Sequence, residues 1–300
     1  SVFVRINISC GVLMQVNWLL EKDAFDEGDF ADNPRPLEPL KKEIIKQGNN
    51  YKEVSYKPLE SGTYDQFLDD DCVICYGSLN LMRYLSKIKK WVPGPIMNLP
   101  NFECTKYYTY FGKYLINSDY TMMPLNEMLR RRFELLKQFD GHFFVRPSTG
   151  FKSFTGQVVN GDEWDKDVEW IKECGSQSEI VVISSAKKIS TELRFVVADH
   201  KIIAGSQYKI NEELEVIPWE KVACGSDYYN YATEIASDKW EPDRMYTIDI
   251  ASTVNKDGLI SYGLMEINSF SASGMYSCDW SAIVKAAGEV AVDEWEKAWN

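Results

Sequence analysis

Apolar and polar positions along the chain follow two rhythms, one of period two and one of helical period. "NPRPLEPLKKEIIKQG" carries prolines and then a helical pattern that closes at Gly48. "DCVICYGS" reads as a buried strand running into a Gly-Ser turn. "LNLMRYLSKIKKW" after it reads as an amphipathic helix stopped by Pro93-Gly94-Pro95, a candidate subdomain boundary. "PLNEMLRRRFELLKQF" predicts one helix over 124–139. "HFFVRPSTGFKSFTGQVV" predicts a strand, a Gly/Ser/Thr-rich loop and a second strand, and "DEWDKDVEWIKECG" a helix closed by Gly175. Strands and turns dominate the remainder: "EIVVISS", "TELRFVVAD", "HKIIAGSQY", "RMYTIDIAS" and "GLISYGLMEIN". "WSAIVKAAGEVAVDEWEKAW" predicts a closing helix. An α/β entrance followed by an antiparallel, β-rich second half gives an α+β fold. At 300 residues the chain exceeds one small core, so two or three subdomains are expected.

The strongest local signal is the hairpin between "MYTIDIAST" and "LISYGLMEIN". Asp257-Gly258 suits a two-residue turn, because Gly takes the positive φ that the turn requires. Such a turn pairs Lys256 with Leu259, and the pairing carried back puts Asp249 opposite Glu266. Side chains alternate along a strand, so Glu266 and Asn268 share that face. Opposed carboxylates repel unless a cation lies between them. Two carboxylates and an amide oxygen are hard donors that suit Mg²⁺. The plainer alternative is a polar face turned to solvent, and a one-residue slip would undo the cluster.

Composition narrows the chemistry. The net charge of −12 argues against sequence-independent binding to a phosphate backbone, which needs a basic surface. Seven scattered cysteines suit a reducing, cytoplasmic setting. Cys72 and Cys75 look like a redox or metal pair, but in a strand they face opposite sides. Two histidines, His142 and His200, offer little for a His-based metal site or a Ser-His-Asp triad. No apolar run reaches the roughly 18 residues of a membrane span.

Two more constellations carry charge and small residues. Arg146 lies on a strand, and Lys152 follows in a loop with Ser148, Thr149, Gly150, Ser153, Thr155 and Gly156. Small residues let backbone N–H groups approach an anion, although no Walker motif is present. "TELRFVVADHKIIAGSQY" reads as a hairpin with Glu192 and Arg194 on one face and Leu193, Phe195 and Val197 on the other. That charged face is most simply solvated, or else a cleft wall.

Taken in order, "VICYGS", "FFVRPSTGFKSFTG", "TELRFVVADHKIIAGSQY", "YTIDIA" and "MEINSFSASGMY" resemble the ATP-grasp superfamily, and most of all its short clade common in phages and bacteria. The resemblance spans roughly residues 70–280. It implies an ATP-grasp fold: an N-terminal α/β, substrate-side subdomain (1–100), a central lid (101–185) and a C-terminal subdomain with the metal site (186–300). ATP and Mg²⁺ are the implied cofactors. Arg146 stands where the family places a basic residue, often Lys, on the phosphates. Lys152 and loop 148–156 resemble the phosphate-covering loop. Ser184 and Ser185 fall at the hinge near adenine. Glu192 and Arg194 match the polar pair of the cleft, Arg194 meeting the transferred phosphoryl group. Asp249, Glu266 and Asn268 match the Mg²⁺ ligands. Ser269, Ser271, Ser273 and Gly274 become candidates for binding a substrate carboxylate through backbone N–H groups.

The resemblance implies an ADP-forming carboxylate–amine ligase that works through an acyl phosphate on an amino acid, peptide or peptide-like acceptor, with a macromolecular acceptor also open. Phosphoryl transfer asks for positioning and charge neutralisation rather than acid/base residues, which suits a chain poor in His. The alternatives are a kinase acting on a hydroxyl and a nucleotide-binding assembly module without turnover. Lys256-Asp257-Gly258 approaches the motif of adenylylating nucleic-acid ligases but lacks its intervening residue. Residues 1–70 carry no usable motif.

Overall fold

Three β-sheets organise the chain in the computed structural model, which describes residues 14–22, 24, 37–56, 64–150, 153–255 and 257–299. The first sheet combines β1 (Asn17–Glu21), β2 (Asn50–Val54), β3 (Cys72–Tyr76) and β4 (Val92–Pro95), with helices α1 (Glu38–Lys46) and α2 (Leu79–Ile88) between them. Its strands are parallel in the order β2-β1-β3-β4. Both faces of β1 and β3 are covered, hence the unbroken apolar run of "CVICY". Cys72 enters one core and Cys75 the other, as the alternation requires. Burial pushes the Cys72 thiol up to about 12 and the Cys75 thiol higher still. Set in different cores, the two thiols do not come together as a metal or disulfide pair. Pro93-Gly94-Pro95, expected at a boundary, lies within the edge strand β4, where missing N–H donors cost no ladder bond.

The second sheet begins after α3 (Cys104–Phe111) and contains β5 (Thr121–Pro124), β6 (His142–Pro147), β7 (Gln157–Asn160) and β8 (Ile180–Ser184). Its helices are α4 (Leu125–Arg130), α5 (Arg132–Gln138) and α6 (Trp164–Cys174). The order β5-β8-β6-β7 is antiparallel throughout. The single helix expected over 124–139 is two, broken at Arg131. The break lets Leu125 and Met128 on one piece and Leu135 on the other enter the same core. Residues 102–115, grouped by sequence with this lid, pack instead beneath the third sheet, where Phe102, Tyr107, Tyr108 and Phe111 are buried.

The third sheet is the largest. It comprises β9 (Ile189–Ala198), β10 (Lys201–Ile210), β11 (Glu213–Pro218), β12 (Met245–Val254) and β13 (Ile260–Ser269), in the antiparallel order β11-β10-β9-β12-β13. Helix α7 (Gly225–Ala236) covers the face carrying Leu193, Phe195 and Val197. Helix α8 (Trp280–Trp299) covers part of the other face and reaches the first sheet, so both share one core. The uncovered part of that second face carries Glu192 and Arg194. At 8% and 7% exposure they form a cleft wall, and the solvated face expected for them is not found.

Candidate active site

The β12–β13 ladder pairs Asp249 with Glu266 and Thr247 with Asn268. The route to that register differs from the expected one. At the tip the Asn255 carboxamide oxygen accepts the N–H of Asp257 and of Leu259, both at 2.9 Å. Val254 therefore pairs with Ile260, one residue short of the two-residue-turn register, and Lys256 lies outside the described residues. A bulge at Met265 restores the register. It lets Leu264 and Ile267, three residues apart, both enter the core under α7 while Glu266 faces the cleft.

Arg194 lies opposite Asp249 on the next strand. Its Nε and Nη2 donate to the two carboxylate oxygens at 2.8 and 2.7 Å, and Nη1 donates to the Gly274 carbonyl at 3.0 Å. Burial pushes the Asp249 carboxyl above the ordinary carboxylate range, Arg194 pulls it back, and Glu266 and Glu192 add to the upward push. Arg146 Nη2 donates to Glu266 at 3.0 Å, and the Asn268 amide donates to the other Glu266 oxygen at 3.0 Å. The Tyr208 hydroxyl donates to Glu192 at 2.5 Å. Burial and the nearby Asp249 and Glu192 raise the Tyr208 phenol well above its ordinary range, so it acts as a neutral donor. Its ring stacks on Tyr276 with centroids 4.9 Å apart, and the Arg194 guanidinium lies 5.7 and 5.4 Å from the two rings.

This donor set fits Mg²⁺. Two opposed carboxylates and an amide two residues on present hard oxygens to one cavity, and a cation there would share them with the guanidinium groups of Arg194 and Arg146. Among the described residues no group of three or more His, Cys, Asp and Glu side chains forms a metal cage.

Two cavities meet here. One of about 600 Å³ lies between the second and third sheets, lined by Phe144, Arg146, Phe154, Lys187, Glu192 and Lys209 among others. A second of about 390 Å³ opens toward the first sheet, with Arg194, Asp249, Asn268, Ser269, Ser273 and Gly274 on its polar side. Glu266 and Tyr208 line both.

Several expected residues lie elsewhere. Ser148, Thr149 and Ser153 line a third cavity of about 410 Å³ with Glu179. There Ser153 and Thr149 donate to the Glu179 carboxylate at 2.7 and 3.4 Å. The carboxylate draws those hydroxyls away from the larger cleft. Of the same loop, Gly150 faces the 390 Å³ cavity and Thr155 and Gly156 the 600 Å³ one. Lys152 lies outside the described residues. Ser184 is fully buried, and Ser185 accepts from Lys187 and donates its N–H to Asp119 at 3.3 Å; neither lines the cleft. Lys187, two residues further along the chain, does. Ser271 is a structural stitch: its hydroxyl accepts from Ile96 N at 2.9 Å and its carbonyl from Gly77 N at 2.9 Å. The Ser273 N–H is taken by the Phe270 carbonyl, so that part of the backbone-cradle expectation does not hold.

Sequence reasoning passed over Tyr208, Tyr276, Lys187 and Lys209. The hairpin turn at Asp199-His200 pairs Ala198 with Lys201, but two bulges in β10 shift the ladder twice, bringing Lys209 opposite Glu192. No pattern in "IIAGSQYK" marks those shifts. Lys187 was visible in "VISSAKK" as the charge nearest the expected hinge.

A family model of the ATP-grasp domain, the second family of its clade, matches residues 127–286, and the chain belongs to that family. It is an ATP-dependent ligase of the ATP-grasp type, with ATP and Mg²⁺ as cofactors. Its fold is similar to D-alanyl-alanine synthetase A from Vibrio cholerae, with TM-score 0.61 and 13% identity, covering 95% of this chain and 99% of that one. D-cycloserine synthetase DcsG is similar at TM-score 0.56 and 12% identity, covering 92% and 99%. A RiPP-associated ATP-grasp ligase from Chryseobacterium gregarium, in complex with ADP and a leader and core peptide, is similar at TM-score 0.54 and 13% identity, covering 93% and 97%. At these identities the likeness is one of fold. No curated protein matches the chain in sequence.

Proposed function

We propose that this protein joins a carboxylate to an amine on an amino acid, peptide or peptide-like acceptor, through an acyl phosphate and with release of ADP. The observation that carries this reading is the junction of the two cavities at Glu266 and Tyr208. Nucleotide phosphates entering from one side and a carboxylate from the other would meet where Asp249, Glu266 and Asn268 converge. A similar fold solved with a leader and core peptide supports a peptide-like acceptor.

In this reading Mg²⁺–ATP supplies the phosphoryl group and the charge that draws two anions together. The chain's own residues position and neutralise. Asp249, Glu266 and Asn268 hold the metal. Arg146, Lys187 and Lys209 line the nucleotide side, beside Glu192, Glu212 and Glu266. Lys152 and the rest of loop 148–156 would cover the phosphates. Arg194 commits three N–H donors to Asp249 and Gly274, which fixes the metal-binding carboxylate. Tyr208 fixes Glu192 against the cleft wall.

The test is the nucleotide product. The protein would be incubated with ATP, Mg²⁺ and pooled amino acids, with and without small amines, and ADP resolved from AMP. Substrate-stimulated ADP and phosphate support the reading. AMP overturns it, and a phosphorylated hydroxyl without an amide turns the assignment to a kinase.

A further inference from the structure

The 390 Å³ cavity is chemically two-sided. Its floor holds the metal-binding and ion-paired groups. Apolar side chains also line the cavity: Leu79 at the start of α2, and Leu99 and Phe102 on the turn Leu99–Phe102. That turn is pinned on both flanks: Asn98 N donates to Asp243 at 2.9 Å and the Asn101 amide donates to the Pro242 carbonyl at 2.8 Å. Tyr276 lines the same cavity, and its φ of +50° is costly for a bulky residue. The strained backbone sets its ring against Tyr208 and gives the cavity a fixed aromatic side.

Charge is scarce on this side. Among the described lining residues the charged groups are Arg194, Asp249 and Glu266. Arg194 is joined to Asp249, and Glu266 to Arg146. A charged side chain set against Leu79, Leu99 and Phe102 would thus lose its water and find no counter-ion of its own among the described lining residues. The volume lies at the small end of ligand pockets, roughly 300–1,000 Å³, and suits one amino-acid residue.

Building on the ligase reading, we infer that this cavity selects the acid substrate by an apolar side chain. An aliphatic or aromatic amino acid, or a peptide ending in one, would place its side chain between Leu79, Leu99 and Phe102 and the Tyr276 ring. Its carboxylate would then point at Asp249, Glu266 and their metal. Leu79, Phe102 and Tyr276 are specificity-determining residues in this scheme.

The experiment uses the full chain with Mg²⁺–ATP and hydroxylamine, which converts an activated carboxylate to a hydroxamate. Apolar, neutral polar, acidic and basic amino-acid pools, in L- and D-forms, are offered separately. The apolar pool is expected to lead the acidic and basic pools by at least roughly tenfold in kcat/KM. Phe102→Ala and Leu79→Ala should each raise the kcat/KM ratio of Trp over Leu by roughly tenfold. Phe102 sits in a core and its variant can fail to fold; Leu79 is only half-buried and keeps the test alive. Fastest hydroxamate formation with an acidic or basic pool overturns the pocket assignment and leaves the ligase reading standing. ADP release on a hydroxyl compound, with no hydroxamate from any pool, overturns both.

Discussion

Arg146 and Glu266 join across the cleft at 3.0 Å, tying β6 of the second sheet to β13 of the third, with both side chains 15% exposed. The pair neutralises a carboxylate that also faces Asp249. A divalent cation entering there must share Glu266 with the guanidinium. Glu266→Ala should abolish turnover. Glu266→Gln keeps the shape but removes the charge, and should weaken Mn²⁺ binding in the presence of nucleotide by roughly 10- to 100-fold, as expected for a charge-assisted contact of about 1.5–3 kcal/mol. Titration calorimetry reads this without turnover. Unchanged Mn²⁺ affinity in Glu266→Gln would remove this residue from the metal site.

Arg194 and Asp249 are 7% and 1% exposed and bonded through two parallel hydrogen bonds. Removing one partner strands a buried charge. Arg194→Met should cost about 3–5 kcal/mol in urea unfolding. The double variant Arg194→Met/Asp249→Leu should be less destabilised than either single one, since neither charge is then left alone. Additive losses would mean that the pair is not the unit of stability here.

Gly263 sits in β13 where the chain of residues 115–116 runs alongside it. A Cβ at this position would meet Ile116 Cα at 2.5 Å and its N at 2.7 Å. Both are backbone atoms and cannot swing away. Ile116 also lines the 600 Å³ cavity, so the close approach shapes the cleft. Gly263→Ala should destabilise by about 1–3 kcal/mol and weaken nucleotide binding together. Thermal melts with and without ATP measure both, and a neutral substitution would show that residues 115–116 are free to shift.

The hairpin that brings Asp249, Glu266 and Asn268 together was legible because strand alternation and a turn signal are local properties. Asp249, Glu266 and Asn268 all stand on one cavity, although the turn is longer than read and the Met265 bulge supplies the missing residue. β3, α2, α6, β9, β12 and α8 were equally plain, each carrying a long apolar rhythm or an evident cap. What stayed hidden depends on tertiary packing. The two bulges of β10 decide that Tyr208 reaches Glu192. The position of Glu179 decides where Ser153 and Thr149 point. The segment 102–115 joins the core of the third sheet because its aromatic residues find room there, a fact with no local signature. The four-residue strands β4 and β5 are too short for a period to show.

Buried thiols make stability fall at alkaline pH. Burial pushes the Cys278 thiol up to about 12 from its ordinary 9.0, with Arg194 opposing the shift. Cys72 is pushed up to about 12 in the same core, again chiefly by burial. The folded state therefore holds these protons more tightly than the unfolded chain does. Below pH 9 both states are protonated and the contribution is complete. Between 9 and 12 the unfolded chain ionises first, and Cys278 alone should cost about 1 kcal/mol per pH unit. Urea midpoints measured from pH 7 to pH 11 should fall above pH 9, and Cys278→Ala should flatten that fall. At pH 8, iodoacetamide should label the exposed Cys224 and spare Cys72, Cys75 and Cys278 in the folded protein. Rapid labelling of Cys278 under native conditions would show that α8 opens away from the core it shares between the first and third sheets.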